Sequence, residues 1–193
     1  MNQEKNEQGC VLELECNVWK AHIKAVDGGV VFMPADVIVN AANTTLLGGG
    51  GVDGAIHQAA GPELLEACRK LNGCKTGEAK ITEAYNLTNA KYIIHTVGPV
   101  YSGAPTDPIL LGSCYQKSLD LALAHGCERI AFPSISTGVY GYPLEEAAVV
   151  ALSATLEWLE RHPDAELTIS YCCYKPAERE AYEKAFRQCN LIS

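Results

Sequence analysis

Short β-branched or aromatic runs alternate with helix-period segments along nearly the whole chain, and no other feature narrows its fold so far. Such alternation is the pattern of an α/β protein, in which strands pair in one sheet and helices cross between them. Strands are expected around Val11–Glu15, at Val37–Val39, Tyr92–Val97, Arg129–Pro133 and Leu167–Cys172, with weaker signals at Ile23–Val26 and Ala79–Asn86. Helices are expected at Asp53–Ala60, Glu63–Leu71, Pro108–His125, Leu144–Arg161 and Pro176–Gln188. In Leu144–Arg161 the residues Ala148, Ala151, Leu152, Thr155, Leu156 and Leu159 recur at helical spacing, which describes one buried stripe and carries no functional signal.

With 193 residues, 48% of them apolar and 20% charged, the chain has enough core-forming material for a single domain over 1–193, residues 1–9 forming a flexible extension. A formal charge of −8 with no basic run leaves no footprint for duplex nucleic acid. That acidity does not exclude an anionic small molecule, because backbone N–H groups at a helix N-terminus hold phosphate without a cationic side chain. The polar start MNQEKNEQ has no apolar core of a leader, and no apolar run reaches membrane-spanning length, so a cytoplasmic protein without membrane contact is expected. Nine cysteines without a Cys-x-x-Cys pair are read as reduced, buried thiols, and no metal site is expected.

Chemistry concentrates in three loops that follow expected strands, the place where open α/β sheets bind ligands. The first, Asn40-Ala41-Ala42-Asn43, sets two amides around small residues, although Asn in a turn also serves local backbone bonds. A glycine run, Gly48 to Gly51, then enters a helix through Val52, Asp53 and Gly54. Positive φ, close backbone approach and free N–H groups make this an anion cradle without the spacing of a Walker or dinucleotide loop. Asp53 suits a first helical turn on dipole grounds alone, yet His57 lies one turn later on the same face, so the pair converges at the mouth of the cradle. The third loop, Pro133 to Pro143, offers the hydroxyls of Ser134, Ser136 and Thr137, glycines at 138 and 141, and Tyr140 to wall off a ribose.

In order along the chain, VIVNAANTTLLGGGGVDGAIHQAAGPELLEAC, CKTGEAKITEAYNL, YIIHTVGPVY and FPSISTGVYGYP resemble the macrodomain family, and within it the MacroD-type O-acetyl-ADP-ribose deacetylases. The resemblance covers the chain from about Val37 to the end of the last helix. It implies a three-layer α/β/α fold with a central mixed sheet flanked by helices, and ADP-ribose lying across the carboxyl ends of the central strands. Gly50, Gly51 and Val52 would approach the phosphates and distal ribose, with Ser136, Thr137, Gly138, Val139 and Tyr140 closing from the other side. Asn40 would join the ligand contacts, Asn43 would hold the distal ribose, Asp53 would contact that ribose and the attacking water, and His57 would support it. Relatives usually carry Gly-Asp-Ile-Thr before the NAAN strand, its Asp meeting adenine. Here the segment reads Lys24-Ala25-Val26-Asp27-Gly28-Gly29, so Asp27 stands nearest at a stretched spacing, and Tyr174 resembles the family's aromatic near adenine.

The activity so implied is hydrolysis of esters at the distal ribose, in O-acetyl-ADP-ribose or in mono-ADP-ribosylated proteins carrying modified Asp or Glu, without a cofactor. A carboxylate near a helix N-terminus serves as base or water-positioner, and a substrate phosphate oxygen is the other option. No Ser or Cys stands in a nucleophile elbow, which disfavours a covalent route. The alternative from another class is a reader module that binds ADP-ribose without catalysis, a role that needs the cradle but not Asp53.

Overall fold

A computed structural model describes residues 14–193. The elements run β1 (Leu14–Val18), β2 (Ala21–Asp27), β3 (Val37–Ala41), α1 (Gly51–Ala60), α2 (Pro62–Lys70), β4 (Ala79–Glu83), β5 (Tyr92–Thr96), α3 (Thr106–Ala124), β6 (Arg129–Phe132), α4 (Leu144–Arg161), β7 (Thr168–Cys173) and α5 (Pro176–Gln188), with a 3-10 turn at Val30–Phe32. They form one seven-stranded sheet in the order β1-β2-β7-β6-β3-β5-β4. The five central strands are parallel, and β1 and β4 lie antiparallel at the edges. This is the three-layer α/β/α architecture with a mixed sheet that the sequence implies.

Of the strand expected around Val11–Glu15, Leu14 and Glu15 begin β1; residues 11–13 and the extension expected at 1–9 lie outside the described residues. β3 runs two residues past its apolar stretch, so Asn40 and Ala41 belong to a strand rather than a loop. They pair with His95 and Thr96 of β5, and the Asn40 side chain finds buried partners that remove its usual preference for turns.

Burial on both faces explains why the central strands read as continuous apolar runs. Val37 and Val39 point into a core shared with α3, α4 and α5, while Ile38 points to the opposite core with α1, α2 and the 3-10 turn. The stripe on α4 is buried as its period requires, through Ala148, Ala151, Leu152, Thr155 and Leu159. In α1 the buried residues are Asp53, Ile56 and Ala60, all on one face. Burying Ile56 contributes roughly 1.5–3 kcal/mol and clamps that face to the sheet. The same anchorage aims the Asp53 carboxylate at the end of β3.

Candidate functional site

β3 and β6 are hydrogen-bonded neighbours, but the chain leaves them in opposite directions: α1 after β3 packs on one face of the sheet, α4 after β6 on the other. Such a divergence opens a crevice at the carboxyl ends of the two strands, where α/β proteins hold ligands. Its walls are the glycine segment before α1 and the loop from Pro133 to Pro143, two of the three segments that sequence chemistry singles out.

At the floor of the crevice lies a buried polar line. The Nδ2 of Asn40 donates to Asp53 Oδ1 at 2.8 Å and lies 3.0 Å from His95 Nδ1; His95 Nε2 in turn lies 2.9 Å from Thr82 Oγ1. His57 Nε2 stands 3.5 Å from the same Asp53 oxygen, so the helical spacing of the two residues brings them together as expected. Asn40 is fully enclosed, beneath the cleft rather than on its wall, and so supports Asp53 instead of facing a ligand. Burial, and then the neighbouring His57, push the His95 imidazole down to about 3, which keeps it neutral. The Asn40 Oδ1 has no partner, at a cost of about 1–3 kcal/mol. Sequence reasoning does not single out His95 or Thr82; the one signal for His95 is a lone histidine inside the apolar run YIIHTV.

Above this line, Asn43 closes its own loop: Nδ2 donates to the Gly48 carbonyl at 3.0 Å, and Oδ1 accepts from Thr45 N–H and Oγ1. The local role of an Asn in a turn is therefore realised, and it leaves the amide beside the Asp53 carboxylate. A Cβ on Gly49 would lie 3.3 Å from Asp53 Oδ2 and 3.4 Å from Asn43 Nδ2, so both groups face one small space. Gly50 precedes α1 in extended conformation, Gly51 opens the helix at φ +59°, and Gly54 must lack a side chain because a Cβ would meet the Gly49 carbonyl at 2.6 Å. Free N–H groups of the first turn and the positive end of the helix dipole suit this rim to an anion.

The opposite wall is shaped by Ser136, which holds φ +66° and buries its Oγ without a partner. Loop closure comes from Tyr142 N–H to Ser136 carbonyl (2.9 Å), Tyr101 N–H to Tyr140 carbonyl (2.9 Å) and Thr137 Oγ1 to Ser134 carbonyl (3.1 Å). Gly138 and Val139 stand exposed at the crest, and Tyr140 is half-buried. Gly98 underlies the loop, and a Cβ there would fall 2.7 Å from Ile135 Cγ2 and against the Ser136 hydroxyl. Gly98→Ala is therefore expected to displace the loop, destabilise the fold by about 1–3 kcal/mol and weaken ligand binding together. A melting curve and a binding isotherm both equal to the parent's would show that the loop does not rest on Gly98.

Two strands further along the sheet, β2 and β7 end side by side with Asp27 opposite Cys173. Asp27 is exposed and lies 3.7 Å from Arg179 Nη1. Tyr174 is 72% exposed, and Phe32, 84% exposed, reaches the same spot, since the rings of both lie 3.7 Å from a Cβ built on Gly29. Of these three, sequence reading names Asp27 and Tyr174 as candidates and does not name Phe32, an aromatic in the short apolar run after two glycines.

Among the described residues no group of three His, Cys, Asp or Glu is placed to hold a metal, and no helix is long and apolar enough to cross a membrane. The eight described cysteines are free, and burial raises the thiols of Cys68 and Cys114 to about 11 and those of Cys172 and Cys173 to about 12.

Comparison with known proteins matches a Macro domain model to residues 39–151. A Macro domain-containing protein of Chlorobaculum tepidum is 55% identical over 84% of this chain and 94% of its own length. The mouse protein named ADP-ribose glycohydrolase MACROD1 is 52% identical over 81% of this chain, which spans about half (49%) of that longer protein. Among solved structures, the Oceanobacillus iheyensis macrodomain with ADP superimposes with a TM-score of 0.87 at 38% identity, covering 93% of this chain and 97% of the other.

Proposed function

The chain belongs to the Macro domain family, and on that premise we propose that it binds ADP-ribose and hydrolyses esters of the distal ribose. The observation that carries this reading is Asp53: a carboxylate at the N-terminus of α1, tied at one oxygen to Asn40 and turning the other towards Asn43 and the cleft. A module that only binds has no need for a buried carboxylate held in this way beside a diphosphate.

Sheet geometry supports the length of the ligand. From β2 to β3 there are three strand spacings, about 14 Å in all, comparable to the reach from an adenine to the far ribose. In this reading adenine lies between Phe32 and Tyr174 near Asp27. The diphosphate takes the N–H groups of Gly51 and Val52 on one side and the loop from Ser136 to Tyr140 on the other. The partnerless Ser136 hydroxyl gains an acceptor there. The distal ribose then falls beside Asn43, with its ester over Asp53 Oδ2.

In hydrolysis a water held by Asp53 Oδ2 attacks the ester carbon, its proton passes to the carboxylate, and the ribose oxygen leaves with that proton, giving a carboxylic acid and a free hydroxyl. Oxygen charge in the tetrahedral intermediate is met by donors fixed before reaction, the Asn43 amide and the α1 N-terminus. His57 stabilises the side of Asp53 that faces away from the substrate. Acetate esters and ADP-ribosylated Asp or Glu side chains share this bond, so O-acetyl-ADP-ribose and mono-ADP-ribosylated protein are the two candidate substrates of the site.

Released acetate and ADP-ribose, followed with each of the two esters, test the proposal. Expected are turnover of at least one ester and calorimetric binding of ADP-ribose at least about tenfold tighter than ATP, a difference of about 1.4 kcal/mol. Asn43→Ala should lower kcat about tenfold, with KM little changed, if its amide acts chiefly in the transition state. Tight ADP-ribose binding with no product from either ester would replace the hydrolase with a reader module.

A further inference from the structure

The polar line beneath the cleft contains more than catalysis at Asp53 alone requires. Asp53 Oδ1 can only accept, so Asn40 must present its NH2 to it. The second hydrogen of that NH2 points at His95 Nδ1, 3.0 Å away, which must therefore offer a lone pair. The imidazole proton consequently sits on Nε2 and is given to Thr82 Oγ1 at 2.9 Å, with the Cys68 Sγ a longer contact at 3.8 Å. Turning the amide over would set Oδ1 against two lone pairs. Two acceptors thus hold Asn40 in an orientation that leaves its own carbonyl buried without a partner.

Three strands supply this chain of groups: Asn40 on β3 pairs with His95 on β5, and Thr82 lies on β4 at the sheet edge, two residues along from Lys80, which pairs with His95. We propose that His95, oriented by Thr82, is a positioning residue for hydrolysis, locking the Asn40 amide so that Asp53 keeps one oxygen tied and the other free for the attacking water. This rests on the role of Asp53 given above. Neutrality of His95 accords with it, because an imidazolium would carry a proton on Nδ1, facing the Asn40 NH2.

A turned amide would bring a carbonyl against Asp53 and favour its protonated form, so the relay has a signature in the pH–rate profile. Other titratable groups around Asp53 are His57 on its own helix and Cys68 on α2. Neither β3, the segment from Asn43 to Gly50 nor the 3-10 turn contributes one. The His95 and Thr82 variants retain His57 and Cys68, and Thr82→Val also retains His95, so a shift in Thr82→Val relative to the parent reports the amide.

The experiment measures kcat and KM for ester hydrolysis across pH, ADP-ribose affinity and melting temperature for the full chain and for His95→Phe, His95→Asn, Thr82→Val and Asp53→Ala. For His95→Phe, kcat is expected to fall by about 10–100-fold, with KM and affinity within about threefold, and the acid limb should move to higher pH. His95→Asn keeps an acceptor in place of Nδ1 and should restore the limb and most of the rate, although the smaller side chain leaves a void and melts lower. A role in packing alone ranks these two variants the other way round. Thr82→Val, which frees the imidazole to change tautomer, should give a smaller loss in the same direction and carries the test if His95→Phe does not fold. Parental rate and acid limb in Thr82→Val and His95→Phe, or equal impairment in His95→Asn and His95→Phe, would overturn the relay. If Asp53→Ala itself turns over like the parent, the fault lies instead in the role assigned to Asp53.

Discussion

Asp53→Ala is expected to lower kcat for ester hydrolysis by about 10²–10³-fold, about 3–4 kcal/mol of transition-state stabilisation, while ADP-ribose affinity changes by less than about threefold. In the proposed binding mode, binding energy is spread over the first turn of α1, the loop from Ser136 to Tyr140 and the aromatic end at Phe32 and Tyr174, whereas orienting the water falls on one carboxylate oxygen. Interactions made chiefly in the transition state appear in kcat rather than in affinity. Loss of a carboxylate near a diphosphate also relieves repulsion, so the variant can bind ligand slightly better than the parent. The fold should tolerate the change, because α1 stays anchored by Ile56 and Ala60. Initial rates at saturating ester and a calorimetric titration separate the two effects. Turnover within about threefold of the parent would remove Asp53 from the chemistry.

What the sequence discloses about this site depends on how each residue earns its position. Glycines and hydroxyls at the rim are legible because they mark backbone geometry and local turns, which are properties of neighbours in the chain. Asp53 and His57 are legible as a pair because helical spacing fixes their common face. Asn40 is read as part of a loop because an Asn breaks an apolar pattern; only the register with β5 shows that β3 continues through it. His95 and Thr82 are hidden for the same reason, since their meaning comes from strands 55 and 42 residues away from Asn40 and no local signal distinguishes them from a buried histidine and an edge threonine. Phe32 escapes notice because its place beside Tyr174 appears only when β7 brings Tyr174 to it.

The same contrast holds for the fold. Central stretches such as Val37–Val39 and Tyr92–Thr96 read clearly, being enclosed on both faces by apolar side chains. β4 reads weakly because none of its residues is buried: Ala79 to Thr82 are half-buried and Glu83 is exposed, as suits an edge strand. Its sequence therefore carries little of the periodicity that identifies a strand. Yet this edge strand supplies Thr82, so a weakly marked element supports a strongly constrained site.

Gly51→Glu should abolish ADP-ribose binding, with affinity falling by at least about 100-fold, or about 2.7 kcal/mol, at a small cost in stability. Gly51 holds φ +59°, and a Cβ there meets nothing within 4 Å, so the side chain has room and projects from the rim of the cleft. An L-residue in this left-handed conformation costs about 1–2 kcal/mol, which for a chain of this size lowers the melting temperature by only several degrees. A carboxylate 4–5 Å from a phosphate at a partly exposed site meets repulsion of about 3–4 kcal/mol, and it also occupies the approach to the N–H groups of the first turn. Charge and strain can be separated with Gly51→Ala, which shares the backbone conformation but adds no charge. That variant should melt like Gly51→Glu yet lose less than about tenfold in affinity. Equal binding loss in both would assign the effect to backbone distortion, and parental binding by Gly51→Glu would show that the diphosphate does not sit on the α1 N-terminus.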